Sequence, residues 1–125
     1  MYPTKHYKAA RISLRQGNER IFIRLCDIIF LEKSTRYTII HTENGIFKTR
    51  DTLQDFEKKL GAFFFRSHKS YLINIEKIER IINFSGSSYH EIKFTNYDKS
   101  AFLSRARINE LLKLLESVYL IDTDQ

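Results

Sequence analysis

Residues 63–78 read FFFRSHKSYLINIEKI. Three consecutive phenylalanines, Phe63 to Phe65, belong in a core, and so does the run Tyr71–Ile73 that follows them. Between the two runs stand Arg66, His68 and Lys69, side chains that want water or an anion. The segment therefore predicts a short strand near Tyr71–Asn74, preceded by a basic loop whose register is held by buried aromatics on one side and aliphatics on the other.

Outward from this segment, short alternating runs dominate, the period of half-buried strands. RISLR (11–15) and RIFIRL (20–25) alternate on either side of the turn QGNE and predict a hairpin. IIFLE (28–32) is a more continuous apolar strand. YTIIHT (37–42) and IFKTR (46–50) predict a second hairpin, with Asn44-Gly45 supplying left-handed turn residues. RIINF (80–84) and YHEIKF (89–94) predict a third, around SGSS, and SAFL (100–103) a further strand.

Helical spacing occurs twice. In DTLQDFEKKLG (51–61), Thr52 is the expected N-cap with Asp55 three residues on; Leu53, Phe56 and Leu60 share a face, and Gly61 ends the helix. SRARINELLKLLESVYL (104–120) predicts a closing helix capped by Ser104, with Ile108, Leu111, Leu112, Leu115 and Val118 or Tyr119 as its apolar stripe. The expected class is mainly β (α+β): small antiparallel sheets, one short middle helix and one C-terminal helix. At 125 residues, with ten Phe and seven Tyr, the chain suits one domain with a real core. We expect a leader or linker remnant at 1–8, the domain at 9–119 and a tail at 120–125.

The residue types argue against several chemistries. The histidines 6, 41, 68 and 90 lie far apart without metal-ligand spacing, so no metal site is expected. Lone Cys26 sits in an apolar context, with nothing beside it that would activate a thiolate. No G-x-S-x-G, P-loop or G-x-G-x-x-G is present. An enzyme, a cofactor and a small-molecule substrate are therefore not expected. No apolar run reaches the roughly 20 residues of a membrane span, and the expected compartment is the cytoplasm.

The formal charge is +6, and all of it resides in residues 1–50, which hold ten Lys/Arg against four Asp/Glu. A basic half points to a polyanion. Three short segments combine cations with hydroxyls, the mixture that suits phosphate oxygens. They are EKSTRY (32–37), with Lys33, Ser34, Thr35, Arg36 and Tyr37; RSHKS (66–70), with Arg66, His68 and Lys69; and SRAR (104–107), with Ser104, Arg105 and Arg107. A free helix terminus at Ser104 would add an anion-friendly end. Taken singly, each segment also reads as solvated surface or an ion pair. Taken together, they favour nucleic acid, and the core-like alternating positions of most aromatics favour duplex DNA over the alternative, a cationic β domain that binds RNA or a protein partner.

FFFRSHKSYLINIEKIERI resembles the signature of the LytTR DNA-binding domain, the output module of many bacterial response regulators. That family's motif is F-x-R-x-H-[RKN]-S-[FY]-[LV]-[VI]-N, and Phe64, Arg66, His68, Lys69, Ser70, Tyr71 and Asn74 fit it position by position. DIIFLEKSTRYTIIHT, TLQDFEKKL and FLSRARINEL resemble the family's first strand-and-loop, middle helix and closing strand-and-helix, so the likeness covers about residues 10–116. The resemblance implies an elongated arrangement of small sheets and sequence-specific binding of double-stranded DNA. It also implies loops in successive major grooves at promoter direct repeats, with a second copy on a tandem site. Lys69 stands where the family places a base-contacting side chain, with Arg66 and His68 supporting it or touching backbone. In the first loop the base reader is Arg36, Tyr37 or Thr38; in the third segment it is Arg105 or Arg107. The chain leaves no room for the receiver domain usually attached to this module, and so reads as an excised output domain or a free-standing regulator of a two-component type.

Overall fold

The computed structural model describes Tyr7, residues 9–83 and residues 86–118. From Arg11 to Val118 the strands and α-helices of the described residues follow in chain order: β1 (Arg11–Gln16), β2 (Glu19–Arg24), β3 (Ile28–Lys33), β4 (Thr38–Thr42), β5 (Gly45–Thr49), α1 (Leu53–Leu60), β6 (Phe64–His68), β7 (Tyr71–Asn74), β8 (Ile78–Ile82), β9 (Tyr89–Phe94), β10 (Ala101–Ser104) and α2 (Ile108–Val118). The strands form three antiparallel sheets: β1-β2, the five-stranded β5-β4-β3-β7-β6, and β10-β9-β8. This is the mainly β architecture with small sheets that the alternating runs predict.

The continuous apolar strand takes the centre. β3 is hydrogen-bonded on both sides, to β4 and β7, and Ile28 to Leu31 are all buried. Phe30 joins two sheets: its ring stacks on Phe94 of β9 at 5.1 Å and on His41 of β4 at 4.2 Å. Helix α1 closes one side through Leu53, Phe56 and Leu60, all buried. Its N-terminus is a reciprocal capping box, in which the Asp55 N–H donates to Thr52 Oγ1 (3.0 Å) and the Thr52 N–H donates to Asp55 Oδ2 (3.1 Å). The Thr52 backbone N–H, and after it the Thr52 hydroxyl, hold the Asp55 carboxyl below the usual carboxylate range.

Four expectations change. The aromatic run is itself a strand: Phe64 to His68 form β6, paired with β7, with a register shift between Arg66 and His68. Burial of Phe64 and Phe65 together removes the alternation that marks a strand. The turn after β4 is centred on Glu43-Asn44, and of Asn44 and Gly45 only Gly45 has positive φ (142°); the Thr42 hydroxyl closes the turn, donating to Gly45 O and accepting from the Asn44 N–H. The closing helix starts at Ile108, not at Ser104. Ser104 pairs with Tyr89 as the last residue of β10, makes no side-chain cap bond, and is followed by a 3-10 turn, Arg105–Arg107. Leu112 leaves the expected stripe, being 39% exposed, while Leu111 and Leu115 are buried and Ile108, Leu114 and Val118 pack against the core.

The expected leader contributes one residue to the core. Tyr7 is buried, its ring 4.3 Å from that of Phe63, and its hydroxyl accepts from Asn74 Nδ2 at 2.7 Å. The same Nδ2 donates to Ile28 O (2.8 Å), and Asn74 Oδ1 accepts the Glu76 N–H (3.0 Å). Asn74, the last motif residue, is thus a buried tie between β7, β3 and the N-terminal segment. The expected tail, 120–125, and Tyr119 lie outside the described residues.

Candidate nucleic-acid interface

The first two basic segments lie side by side at one end of the five-stranded sheet. Antiparallel pairing of β3 with both β4 and β7 puts the loop 34–37 and the turn 69–70 at the same end, and the Lys33 N–H donates to Ser70 O at 2.9 Å. Ser34 and Tyr37 exchange backbone hydrogen bonds (2.8 and 3.3 Å), which closes the loop on itself. The two segments share an open depression of about 380 Å³, lined by residues 33–38, residues 50–54, Arg66 and Lys69. Lys33, Arg36, Arg50, Arg66 and Lys69 bring five cations to it, against the single carboxylate of Asp51. Such a surface attracts anions.

Within it the side chains divide by what they touch. All three guanidinium nitrogens of Arg66 are engaged, two on the turn and one on α1: Nε donates to His68 O (3.1 Å), Nη2 to Lys69 O (2.7 Å) and Nη1 to Glu57 Oε1 (2.9 Å). His68 Nδ1 accepts the Ser70 N–H at 3.1 Å. Burial, with Lys69 and Arg66 beside it, holds this imidazole below the ordinary histidine range, so it is neutral near pH 7. Lys69 is exposed at the tip. Thr38 is buried and its hydroxyl donates to Asp51 O at 2.6 Å. Tyr37 is half-buried, with Lys48 Nζ 5.0 Å and the Arg50 guanidinium 5.9 Å from its ring centroid. Lys33, Ser34 and Arg36 are exposed.

The third segment sits beside β6, the far edge strand of the same sheet. Ser67, fully buried, donates to Phe102 O of β10 at 2.7 Å, and the rings of Tyr71 and Phe102 lie 5.5 Å apart. Arg107 lies over the Phe65 ring (4.7 Å) and donates to Glu110 Oε1 (3.0 Å). Arg105 is exposed; its Nε donates to Ser87 O (2.7 Å) and its N–H to Ser88 O (3.2 Å). That bond takes an amide the expected helix terminus would have left for an anion.

Lys48 and Arg50 are cations of this surface that the sequence reading passed over. Their signal was available: with Lys48 opposite Ile39, the hairpin register brings them to the loop end of β4 and β5. Among the described residues no cluster of His, Cys, Asp and Glu is arranged to hold a metal, and no helix is long and apolar enough to cross a membrane.

Comparison with known proteins bears on family and fold. The model of the LytTr DNA-binding domain matches residues 18–116. The chain is 31% identical over 100 residues to the transcriptional regulatory protein NatR of Bacillus subtilis, covering 79% of this chain and 42% of that protein. It is 31% identical over 80 residues to accessory gene regulator protein A of Staphylococcus epidermidis, covering 62% and 33%. The chain thus spans less than half the length of these curated relatives. A solved LytTr DNA-binding domain of a methyl-accepting/DNA response regulator from Bacillus cereus superposes with a TM-score of 0.71 at 22% identity, covering 84% of this chain and 95% of that one, a likeness of fold. With its motif, its sheets and 99 matched positions in agreement, this chain belongs to the LytTr DNA-binding domain family.

Proposed function

We propose that this chain binds double-stranded DNA sequence-specifically as the DNA-reading part of a bacterial transcriptional regulator acting in the cytoplasm. In this reading residues 9–119 are the functional unit. The loop 34–37, the turn at Lys69 and the segment Ser104–Arg107 enter successive major grooves at promoter direct repeats, with a second copy on the tandem site.

The observation that carries the reading is the shared basic depression, with a loop on each side already closed by its own hydrogen bonds. Loops ordered in advance avoid the ordering cost of binding, about 0.5–1.5 kcal/mol per long side chain. Lys69 and Arg36 are the base readers, since both are exposed and a cationic side chain suits a guanine edge. Arg105, more exposed than Arg107, reaches out from the third segment. Arg66, His68 and Thr38 act by holding backbone, and Lys33, Ser34 and Arg107 serve phosphates. A single-strand reader needs exposed stacking platforms; Tyr37, in the loop, is instead covered by Lys48 and Arg50.

The test is a competition between a duplex selected from a random pool by the wild-type protein and a scrambled duplex of equal length. Lys69→Ala should lose about 1–3 kcal/mol on the selected duplex and little on the scrambled one, whereas Arg107→Ala should weaken both alike. Equal losses for Lys69→Ala on the two duplexes contradict base reading by that side chain.

A further inference from the structure

The solvent face of the β1-β2 hairpin takes no part in the proposed contacts, yet it is strongly basic. Cross-strand pairing sets Arg11 opposite Arg24, Ser13 opposite Phe22 and Arg15 opposite Arg20, all six exposed on one face. Like charges directly opposite one another on a ladder are destabilising. Arg24 is relieved by Asp27 (3.1 Å). Among the described residues Arg20 has a neutral partner, Ser13 Oγ at 2.8 Å, and neither Arg20 nor Arg15 forms an ion pair.

One hydrogen bond shows which end of the large sheet this uncompensated pair faces. Gln16, the last residue of β1, donates from Nε2 to Lys48 O at 2.9 Å. Lys48 lies opposite Ile39 and Thr49 opposite Thr38, so this part of β5 is at the loop end of the sheet. Arg15 and Arg20, the cross-strand pair one step before the hairpin turn, therefore stand at the same end as the loop 34–37. Lys48 and Arg50 lie beside Tyr37 of that loop, and neither is ion-paired among the described residues. In the sheet order β5-β4-β3-β7-β6, with β10 beyond β6, this cluster lies at the opposite extremity from Ser104–Arg107.

We infer that Arg15, Arg20, Lys48 and Arg50 form an outboard phosphate track, which grips the DNA backbone flanking the bases read by the loops. This rests on the duplex-binding reading above. The ligand is a run of phosphodiesters on that flank, recognised by charge and without sequence preference.

The experiment compares the selected duplex trimmed to its minimal site with the same site carrying ten extra base pairs on each side, titrated over a series of salt concentrations. Wild-type protein should bind the extended duplex more tightly and with a steeper salt dependence. Arg15→Gln/Arg20→Gln should lose roughly tenfold on the extended duplex, lower the salt slope there by about 1.8, as for two phosphates, and change little on the trimmed one. Arg11→Gln, at the far end of the same face, is the charge control and should leave both duplexes unaffected. Equal losses on the two duplexes, or the same loss from Arg11→Gln, overturn the track. No loss on either duplex also overturns it and leaves the arginines to an acidic protein surface. If the wild-type protein selects no duplex at all, the function proposed above fails first and the track falls with it.

Discussion

In the proposed reading Arg66 serves recognition by holding the Lys69 turn. Its fork reaches two successive carbonyls, His68 O and Lys69 O, and Glu57 on α1 fixes the third donor. Lysine keeps the charge but cannot form this planar fork. Arg66→Lys should therefore weaken binding to the selected duplex by about 1–3 kcal/mol, through the freed turn, while binding to scrambled DNA changes far less. Unchanged discrimination between the two duplexes would show that charge alone matters at this position. His41 supports a second prediction at this scale. It is buried under Phe30, its Nδ1 is 2.7 Å from Tyr97 Oη, and Nε2, 3.5 Å from Glu32, makes no hydrogen bond. Burial lowers its pKa more than the Glu32 carboxylate raises it, and Lys99 adds to the lowering. The unfolded chain then binds more protons below about pH 6.5, so stability is full above that pH and falls with acidification towards the folded-state value. The melting temperature should drop between pH 7.5 and 5.5. His41→Gln should start lower and drop less, whereas an identical drop in the variant would assign the acid sensitivity elsewhere.

At the level of elements, α1 is the piece most fully written in the sequence. Thr52, Asp55, the Leu53-Phe56-Leu60 face and Gly61 specify it through local hydrogen bonds and spacing alone. Thr52→Ala should cost about 1 kcal/mol in denaturant unfolding, by removing the acceptor for the Asp55 N–H; a cost near zero would mean that the helix start is held by packing instead. The hairpins were legible for the same local reason. What escaped was decided by partners distant in sequence. β6 is buried through its contacts with β10 and α2's leading turn, so it lost the alternation by which strands are recognised. Ser104 is an attractive N-cap from its neighbours, but pairing with Tyr89 takes it into β10. Tyr7 looked like part of a leader because its partners, Phe63 and Asn74, lie more than fifty residues away. In the basic surface, the three segments were visible as composition, while the division into exposed tips and backbone clamps required the hydrogen bonds.

Across the whole molecule, the basic segments follow the order of the strands. The loop 34–37 and the Lys69 turn share one depression at the middle of the sheet's loop end, and Ser104–Arg107 lies beside its β6 edge. A surface of this kind, if it reads duplex DNA with successive loops, approaches from one side of the helix. Hydroxyl-radical footprinting of the selected duplex tests this most directly. The account predicts separate protected patches about one helical turn, roughly 10 base pairs, apart on one side of the duplex, and the loss of a patch's protection when Lys69 or Arg36 is replaced by alanine. Uniform protection around the duplex, or patches indifferent to both substitutions, would contradict it.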